Sequence, residues 1–138
     1  MNTPARGVSH HRREPLLENW YICATPPAGA VQSVPPAACE WTSIVRLAPA
    51  AAALRDLKQW SIDEPARRFD AQDWWFRLAF DAPEESTTER TILGFDGLAT
   101  VAEVWLNGKA LLTSTNMFVA HECDVSNTLK AKDNELVI

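Results

Sequence analysis

Long hydrophobic runs are missing from this chain of 138 residues. The longest stretch without a charged residue covers residues 19–39, but it contains four prolines. That composition is not that of a membrane helix, which needs about 20 mostly apolar residues with satisfied backbone groups. The chain is also too short for a (β/α)8 barrel, which takes ~200 residues or more. The length therefore favours one domain. Because a long apolar run is missing, no membrane partner is expected.

Cysteine and glycine are also scarce. Cys23, Cys39 and Cys123 are an odd number at wide spacing, which matches neither a zinc motif nor a disulfide framework. The five glycines are scattered, so no glycine-rich phosphate loop is present. The basic pair Arg12-Arg13 is not followed by the apolar segment of a secretory signal. We therefore expect free thiols in a reducing compartment, the cytoplasm.

Positive charge is lacking in the second half of the chain. Residues 1–69 carry eight Lys and Arg against six Asp and Glu, whereas residues 70–138 carry five against twelve. A strongly acidic globular half repels phosphate backbones, so nucleic acid is not an expected partner. Hydrophobic residues at 46% and charged residues at 22% are ordinary for a soluble globular domain and exclude global disorder.

The first half of the chain offers little regular structure. Residues 1–15 are polar and are predicted to form a disordered tail. Residues 17–25 and 41–47 are predicted to be extended, and prolines exclude regular structure over residues 25–37. Residues 50–60 have the only strongly helical composition, so one short helix is expected there.

The second half contains closely spaced strands. Residues 74–80 alternate in the period-two pattern of a half-buried strand, and Asn107-Gly108 is a strong signal for a two-residue hairpin turn. The other predicted strands cover residues 91–95, 100–106, 109–113, 118–125 and 135–138. This pattern predicts an all-β fold over residues 16–138, an antiparallel sandwich or jelly roll with one short helix.

Six tryptophans allow two interpretations. They could fill the core, since each buries ~150–250 Å², or one could form a flat platform for a sugar. Core filling is the favoured interpretation for any single tryptophan. A stand-alone carbohydrate-binding module would use an exposed one, and a pure interaction module is a further alternative.

Catalytic patterns are weak. His121 stands alone in a predicted strand, and Ser114 has no His or Asp neighbour in the sequence that would activate it. Four carboxylates lack a partner at catalytic spacing and are expected to be structural: Asp70, Asp73, Asp96 and Glu103. No catalytic residue, metal ligand or cofactor site is therefore predicted.

An ordered set of segments nevertheless points to a family. The segments are residues 67–77, 93–102, 104–109, 116–118, 124–126 and 134–136, with 20–26 upstream. Taken together, they resemble the N-terminal sugar-binding domain of glycoside hydrolase family 2, and within it the β-mannosidase branch.

The resemblance implies a galactose-binding-like jelly roll that precedes an immunoglobulin-like domain and a catalytic barrel. Those two domains and a carbohydrate are the implied partners. The parent enzyme would release terminal β-mannose with retention, using two carboxyl groups ~5–5.5 Å apart. In this family both carboxyl groups lie in the barrel. Asn134-Glu135 matches the dipeptide that carries the family's acid/base, but it lies in the wrong domain, and we expect Glu135 to be solvated.

Two expectations concern particular positions. The apolar residues 136–138 end the chain in a predicted strand, where the family's domain continues, so we expect an incomplete domain with an unpaired edge. Asn116 is expected in a loop at one end of the sandwich, and the resemblance implies that this loop lies toward the barrel mouth. It would bind a sugar hydroxyl, or it would hold its own loop through an Asx-type bond. Met117 and Phe118 would anchor this loop to the core or to the barrel.

Overall fold

A computed structural model describes residues 12–27, 34–84 and 90–138. Of the tail predicted over residues 1–15, residues 1–11 lie outside the described part, and residues 12–15 form no helix or strand. None of the helices in the described part is long and apolar enough to cross a membrane.

The described residues form eight strands, one α-helix and one short 3-10 helix. In chain order they are β1 (Trp20–Thr25), β2 (Thr42–Ser43), α1 (Ala50–Asp56), the 3-10 helix (Phe69–Ala71), β3 (Asp73–Phe80), β4 (Ile92–Phe95), β5 (Ala102–Leu106), β6 (Lys109–Ser114), β7 (His121–Asp124) and β8 (Asn134–Val137). This confirms the predicted all-β class with one short helix. The strand predicted over residues 41–47 is reduced to the two residues of β2.

Two antiparallel sheets build the fold. The large sheet has the order β2-β1-β3-β8-β5-β6, and β4 pairs with β7 in a small second sheet. The chain passes from the large sheet to the small one after β3 and again after β6. The connection that follows β6 therefore lies where the two sheets meet.

A buried apolar core joins the two sheets. On β5, Val104 and Leu106 have no exposed surface, whereas Glu103 before them is exposed and Trp105 between them is only partly buried, in line with the predicted alternation. Leu93 and Phe95 of β4 pack against the same cluster from the small sheet. Burial of apolar surface between the sheets is the main stabilising contribution to such a sandwich.

The opposite face of the large sheet is also partly covered. Trp75 on β3 packs with Cys23 and Val137 in a second buried cluster, and its ring stacks on Trp105 at a centroid distance of 5.9 Å. Val34, Cys39 and Trp41, from the segment over residues 34–41, pack over this face. A half-buried strand with one solvent-facing side was expected for residues 74–80, and Trp75 departs from it because this distant segment covers the strand.

The helix ends earlier than the composition predicts. Lys58 adopts a positive φ of 58°, and its N–H donates to the carbonyl of Arg55 while the N–H of Gln59 donates to that of Leu54. These two bonds form a Schellman-type end that satisfies the last helical carbonyls. The predicted helix over residues 50–60 is therefore α1, which stops at Asp56.

The hairpin turn between β5 and β6 is confirmed. Asn107 and Gly108 have φ angles of 53° and 77°, the left-handed values that both central residues of a type I′ turn need. The Asn107 side chain also donates to Thr128 O and to Asn134 Oδ1, at 2.9 and 3.0 Å. The turn is thus fixed by its own chemistry and by distant partners.

The expected unpaired edge at β8 is not observed. This strand lies inside the large sheet, between β3 and β5. Ile138 continues the pairing, because its N–H donates to Phe76 O at 2.9 Å and its carbonyl accepts the Phe76 N–H at 2.8 Å. The expectation was wrong because the last strand is inserted between β3 and β5 and does not lie at an edge of the sheet.

Candidate functional site

The loop over residues 115–120 connects β6 of the large sheet to β7 of the small sheet. It begins after Ser114, which is buried, and ends at His121, which is partly buried. The residues between them are exposed. This loop therefore stands at one end of the sandwich, as expected for Asn116.

Asn116 holds the loop through its side chain. Its Oδ1 accepts a hydrogen bond from the N–H of Phe118 at 3.0 Å, which is an Asx-type turn. Its carbonyl accepts from Ser114 Oγ at 3.3 Å. Within the described residues the Asn116 Nδ2 group makes no hydrogen bond. The loop-holding role is thus present in the geometry, and a donor group is left for an outside partner.

Ser114 and His121 are brought together by the fold. The distance between Ser114 Oγ and His121 Nε2 is 3.0 Å. The expectation that each lacks such a neighbour was wrong, because the pairing exists only across two sheets. Ser114 is 2% exposed and its hydroxyl contacts the Asn116 backbone, so it braces the loop and is not placed as a nucleophile.

The Asn116 loop lies close to the backbone of the loop that joins β4 to β5 and contains Gly97. A Cβ atom on Gly97 would come within 2.7 Å of the Met117 carbonyl oxygen. Glycine is therefore required by close approach, since Gly97 has no positive φ that would demand it. This contact fixes where the Asn116 loop sits.

Three apolar side chains at the loop tip face solvent. Met117 is 47%, Phe118 89% and Val119 44% exposed. We call these three residues the loop surface. Of the two expected anchoring partners for Met117 and Phe118, the core or the barrel, the core is not the one observed, since both side chains are exposed and backbone and polar contacts hold the loop. Exposed apolar side chains beside one another mark an interaction site more often than single ones do.

Several carboxylates of the domain form ion pairs with arginines. Glu135 Oε2 lies 2.6 Å from Arg77 Nε, so the expectation of a solvated Glu135 was wrong. Arg68 binds Asp70 at 2.7 Å and holds the pKa of that carboxyl below its usual range. The pair at Asp70 agrees with the structural role predicted for that residue, and in these two pairs neither carboxylate is left as a free acid or base.

Asp124 is the most strongly shifted carboxyl. Hydrogen bonds from the Ser126 side chain and backbone, followed by the bond from Arg90, lower its pKa to about 2. The Ser126 hydroxyl is 2.6 Å from Asp124 Oδ1, and Arg90 Nε is 2.9 Å from Oδ2. Asp124 therefore stays ionised and closes the end of β7.

All six tryptophans lie in the described part of the chain, and none is exposed. Trp20 and Trp75 are buried, and the other four are partly buried. Trp74 additionally donates its indole N–H to the carbonyl of Phe69 at 2.9 Å. Five of these rings lie in or against the two buried clusters and Trp60 packs edge-on against Phe69, so no tryptophan forms an open platform.

Metal-ligating side chains do not cluster in the residues described. No group of three or more His, Cys, Asp or Glu side chains there is placed to hold an ion. The arrangement at the Asn116 loop is instead one of hydrogen-bonding and apolar groups, which suits recognition.

Curated proteins match part of the chain. A segment of 65 residues is 48% identical to β-mannosidase B of Thermothelomyces thermophilus, and 72 residues are 40% identical to β-mannosidase B of Aspergillus terreus. These segments are 47% and 52% of this chain and only 8% of each relative, so the chain matches a small part of their length.

Solved glycosidases are also similar. A β-glucuronidase of Bifidobacterium dentium is 32% identical with a TM-score of 0.44, covering 46% of this chain and 10% of that one. A β-glucuronidase of Ruminococcus gnavus is 23% identical with a TM-score of 0.43, covering 46% and 11%.

Residues 50–138 match the family described as glycosyl hydrolase 2 galactose-binding domain-like. The match begins at α1 and includes every later strand of both sheets. The resemblance inferred from the ordered segments is thereby confirmed, and the chain belongs to the glycosyl hydrolase 2 galactose-binding domain-like family.

Proposed function

We propose that this chain is the ancillary N-terminal domain of a longer, β-mannosidase-like glycosidase. The observation that carries the proposal is the 48% identity to a β-mannosidase B, of which the chain spans 8%. The parent protein would release terminal β-mannose from the non-reducing end with retention of configuration. The domain itself would support that reaction without performing it.

The ion pairs of the domain's carboxylates support the assignment of catalysis to another part of the longer protein. Retaining hydrolysis needs one carboxyl group as acid/base and another as nucleophile, ~5–5.5 Å apart. Asp70, Asp124 and Glu135 are each bound to an arginine. We therefore assign the chemistry to a (β/α)8 barrel elsewhere in the longer chain, with an immunoglobulin-like domain between.

The Asn116 loop is the part of the domain that would meet the rest of the enzyme. The loop surface offers apolar side chains for packing against another domain, and the barrel mouth is the partner we propose. Asn116 stands beside this surface, and its Nδ2 group would donate to a hydroxyl of the bound sugar. Carbohydrate is thus the second proposed partner.

A stand-alone carbohydrate-binding module has less support. Such a module would stack a sugar on an exposed tryptophan, and all six tryptophans are at least partly buried. For the location we propose the cytoplasm. Its support is that Cys23, Cys39 and Cys123 are all free thiols, which persist in reducing compartments.

The proposal is tested by measuring hydrolysis with the full-length protein. We expect p-nitrophenyl β-mannoside to be cleaved with a kcat/KM well above those for the β-glucuronide and the β-galactoside. The chain of 138 residues alone should release no p-nitrophenol above the buffer blank. A full-length protein that prefers another glycoside, or turnover by the short chain that survives repurification, would contradict the proposal.

A further inference from the structure

The Asn107-Gly108 turn carries a reactive pair of residues as well as a hairpin. It is the only Asn-Gly dipeptide in the sequence. The backbone nitrogen that follows an asparagine can attack the side-chain amide, and glycine leaves that nitrogen uncrowded because it has no Cβ. Gly108 is exposed, and no heavy atom of the described residues, its chain neighbours apart, lies within 4 Å of the place a Cβ would take. Space and water for this reaction are therefore present at the turn.

We propose that Asn107 is a conformation-dependent modification site, which converts to an aspartyl or isoaspartyl residue only while the turn is open. The converted residue then prevents the turn from closing again. The inference rests on the hydrogen bonds of the turn and does not depend on the proposed function.

The reaction balances with water as its co-reactant. In the open turn the backbone nitrogen of Gly108 attacks Cγ of Asn107 and closes an imide ring. The Cγ–Nδ2 bond breaks, and the proton lost from Gly108 N leaves with the Nδ2 group as ammonia. One water molecule then opens the ring at either carbonyl carbon, which leaves an aspartyl or an isoaspartyl residue. No electrons are transferred.

In the closed turn the Asn107 amide is held at both ends. Its Nδ2 group donates to Thr128 O and Asn134 Oδ1 at 2.9 and 3.0 Å, and its Oδ1 accepts the Glu135 N–H at 2.9 Å. Ring closure requires Cγ to meet Gly108 N in an attack geometry, and the side chain cannot turn toward it while these bonds hold. The turn therefore has to open, with all three bonds broken, before Asn107 reacts.

The product does not fit the closed turn. A carboxylate has no donor, so it would face Thr128 O and Asn134 Oδ1, which are both acceptors. Asn134 is 1% exposed, and it cannot rotate its amide to offer a donor without losing its bonds with Lys130 N and Lys130 O at 2.8 and 2.7 Å. The isoaspartyl form also adds a carbon atom to the main chain of a two-residue turn. Conversion therefore keeps the turn open.

Asn116 provides an internal comparison. It is exposed, but the residue after it is Met117, whose Cβ crowds the attacking nitrogen. In the unfolded chain only the following residue matters, so Asn107 should react faster than Asn116. In the folded chain this advantage should disappear, because the Asn107 amide is held at both ends and only the oxygen of the Asn116 amide is bound within the described residues.

The test keeps the chain of 138 residues at neutral pH for several weeks, in buffer and in guanidinium chloride. Peptide mass spectrometry measures the aspartyl and isoaspartyl products at Asn107. In guanidinium chloride the rate should equal that of a synthetic peptide of residues 103–112 in the same solution. In buffer it should be at least roughly tenfold lower, since the reaction waits for a rare opening of the turn.

Refolding tests whether the modified turn can close. Modified chains carry one more negative charge, so ion exchange separates them from the unmodified chains of the same sample. After guanidinium chloride is removed, the unmodified chains should recover the original Tm. The modified chains should melt at least roughly 5 °C lower or without a cooperative transition, because buried hydrogen bonds are not restored.

Two variants serve as matched controls. Gly108→Ala, compared in guanidinium chloride only, should react more slowly because its Cβ crowds the attacking nitrogen. Asn107→Gly should give no product at this position and should recover its own Tm after the same treatment.

Equal rates at Asn107 in buffer and in guanidinium chloride overturn the proposal. It is also overturned if Gly108→Ala reacts as fast as the wild type, or if Asn116 is modified first in the unfolded chain. Modified chains that refold with the original Tm, or a lowered Tm in treated Asn107→Gly, would show that conversion does not keep the turn open.

Discussion

Ser114 Oγ and His121 Nε2 lie 3.0 Å apart at the two ends of the Asn116 loop. Ser114 ends a strand of the large sheet and His121 begins a strand of the small one. This one hydrogen bond therefore ties the two sheets together where the chain crosses between them. It also fixes the span that the loop has to cover, because both anchoring residues are held.

Removing the Ser114 hydroxyl should weaken the domain. We expect Ser114→Ala to lower the free energy of unfolding by about 1–3 kcal/mol, because the imidazole and the Asn116 N–H lose a buried partner. Urea denaturation measures the change. Thr115→Ala, at the exposed next position, is the control and should stay within about 0.5 kcal/mol of the wild type. Equal stability of the two variants would show that the pair is not a brace.

Gly97 should tolerate no side chain. Gly97→Ala would place a Cβ 2.7 Å from the Met117 carbonyl oxygen, so the backbone of the Asn116 loop has to move. We expect a loss of about 1–3 kcal/mol in unfolding free energy, as for other overpacked sites. The control is Gly94→Ala, whose Cβ would find His121 O only at 4.0 Å. A Gly97 variant as stable as the Gly94 variant would contradict this contact.

Two substitutions at Asn107 separate the effect of its positive φ from the effect of its side-chain hydrogen bonds. Asn107→Gly keeps a residue suited to the φ of 53° but loses the bonds to Thr128 and Asn134. Asn107→Ala loses the same bonds and adds the left-handed penalty of about 1–2 kcal/mol. We expect both variants to be destabilised in chemical denaturation, with alanine the worse by about that amount. Glycine as the worse of the two would show that φ is not the deciding factor.

The Asn107-Gly108 turn could be predicted from sequence because its cause is local. Both residues favour the positive φ that the turn requires, and no distant group is needed to recognise it. The Ser114–His121 bond could not be predicted, since it depends on which strands the two sheets place side by side. Burial of Trp75 was missed for the same reason. Its neighbour in space, the segment over residues 34–41, is far away in sequence.

The Asn116 loop was likewise predictable only in part. Its place between two strands followed from turn and strand patterns, and the Asx-type bond was one of two interpretations that the residue type allows. The exposure of Met117 and Phe118 did not follow, because apolar residues ordinarily mark contact with the core. Whether an apolar side chain packs inside its own domain or on its surface depends on space left by other strands, which the local sequence does not specify.

Acid should weaken the end of β7. The Asp124 carboxyl has a folded-state pKa of about 2, below its ordinary value of 3.8, so its ionised form is stabilised by folding. That contribution is present above about pH 4 and is lost as the pH falls toward 2. Asp124→Asn should therefore lower Tm at pH 7, and the gap to the wild type should narrow between pH 4 and pH 2. A gap that stays constant over this window would show that ionisation is not involved.

The last prediction separates the two roles of Asn116 in the full-length enzyme. Asn116→Asp keeps an oxygen that can accept the Phe118 N–H, but it removes the amide donor. Asn116→Ala removes both. If the amide donates to a sugar hydroxyl, both variants should lower kcat/KM for p-nitrophenyl β-mannoside by roughly 5- to 150-fold, which corresponds to about 1–3 kcal/mol.

Thermal stability then tests whether the Asn116 side chain holds its own loop. Only Asn116→Ala should lower Tm, because only it loses the Asx-type bond, and Thr115→Ala should change neither Tm nor kcat/KM. The sugar-binding role is contradicted if Asn116→Asp retains full kcat/KM while Asn116→Ala loses stability, since the acceptor oxygen would then account for everything the residue does. Loss of kcat/KM in both variants with an unchanged Tm in the Asp variant is the result that places Asn116 against the substrate.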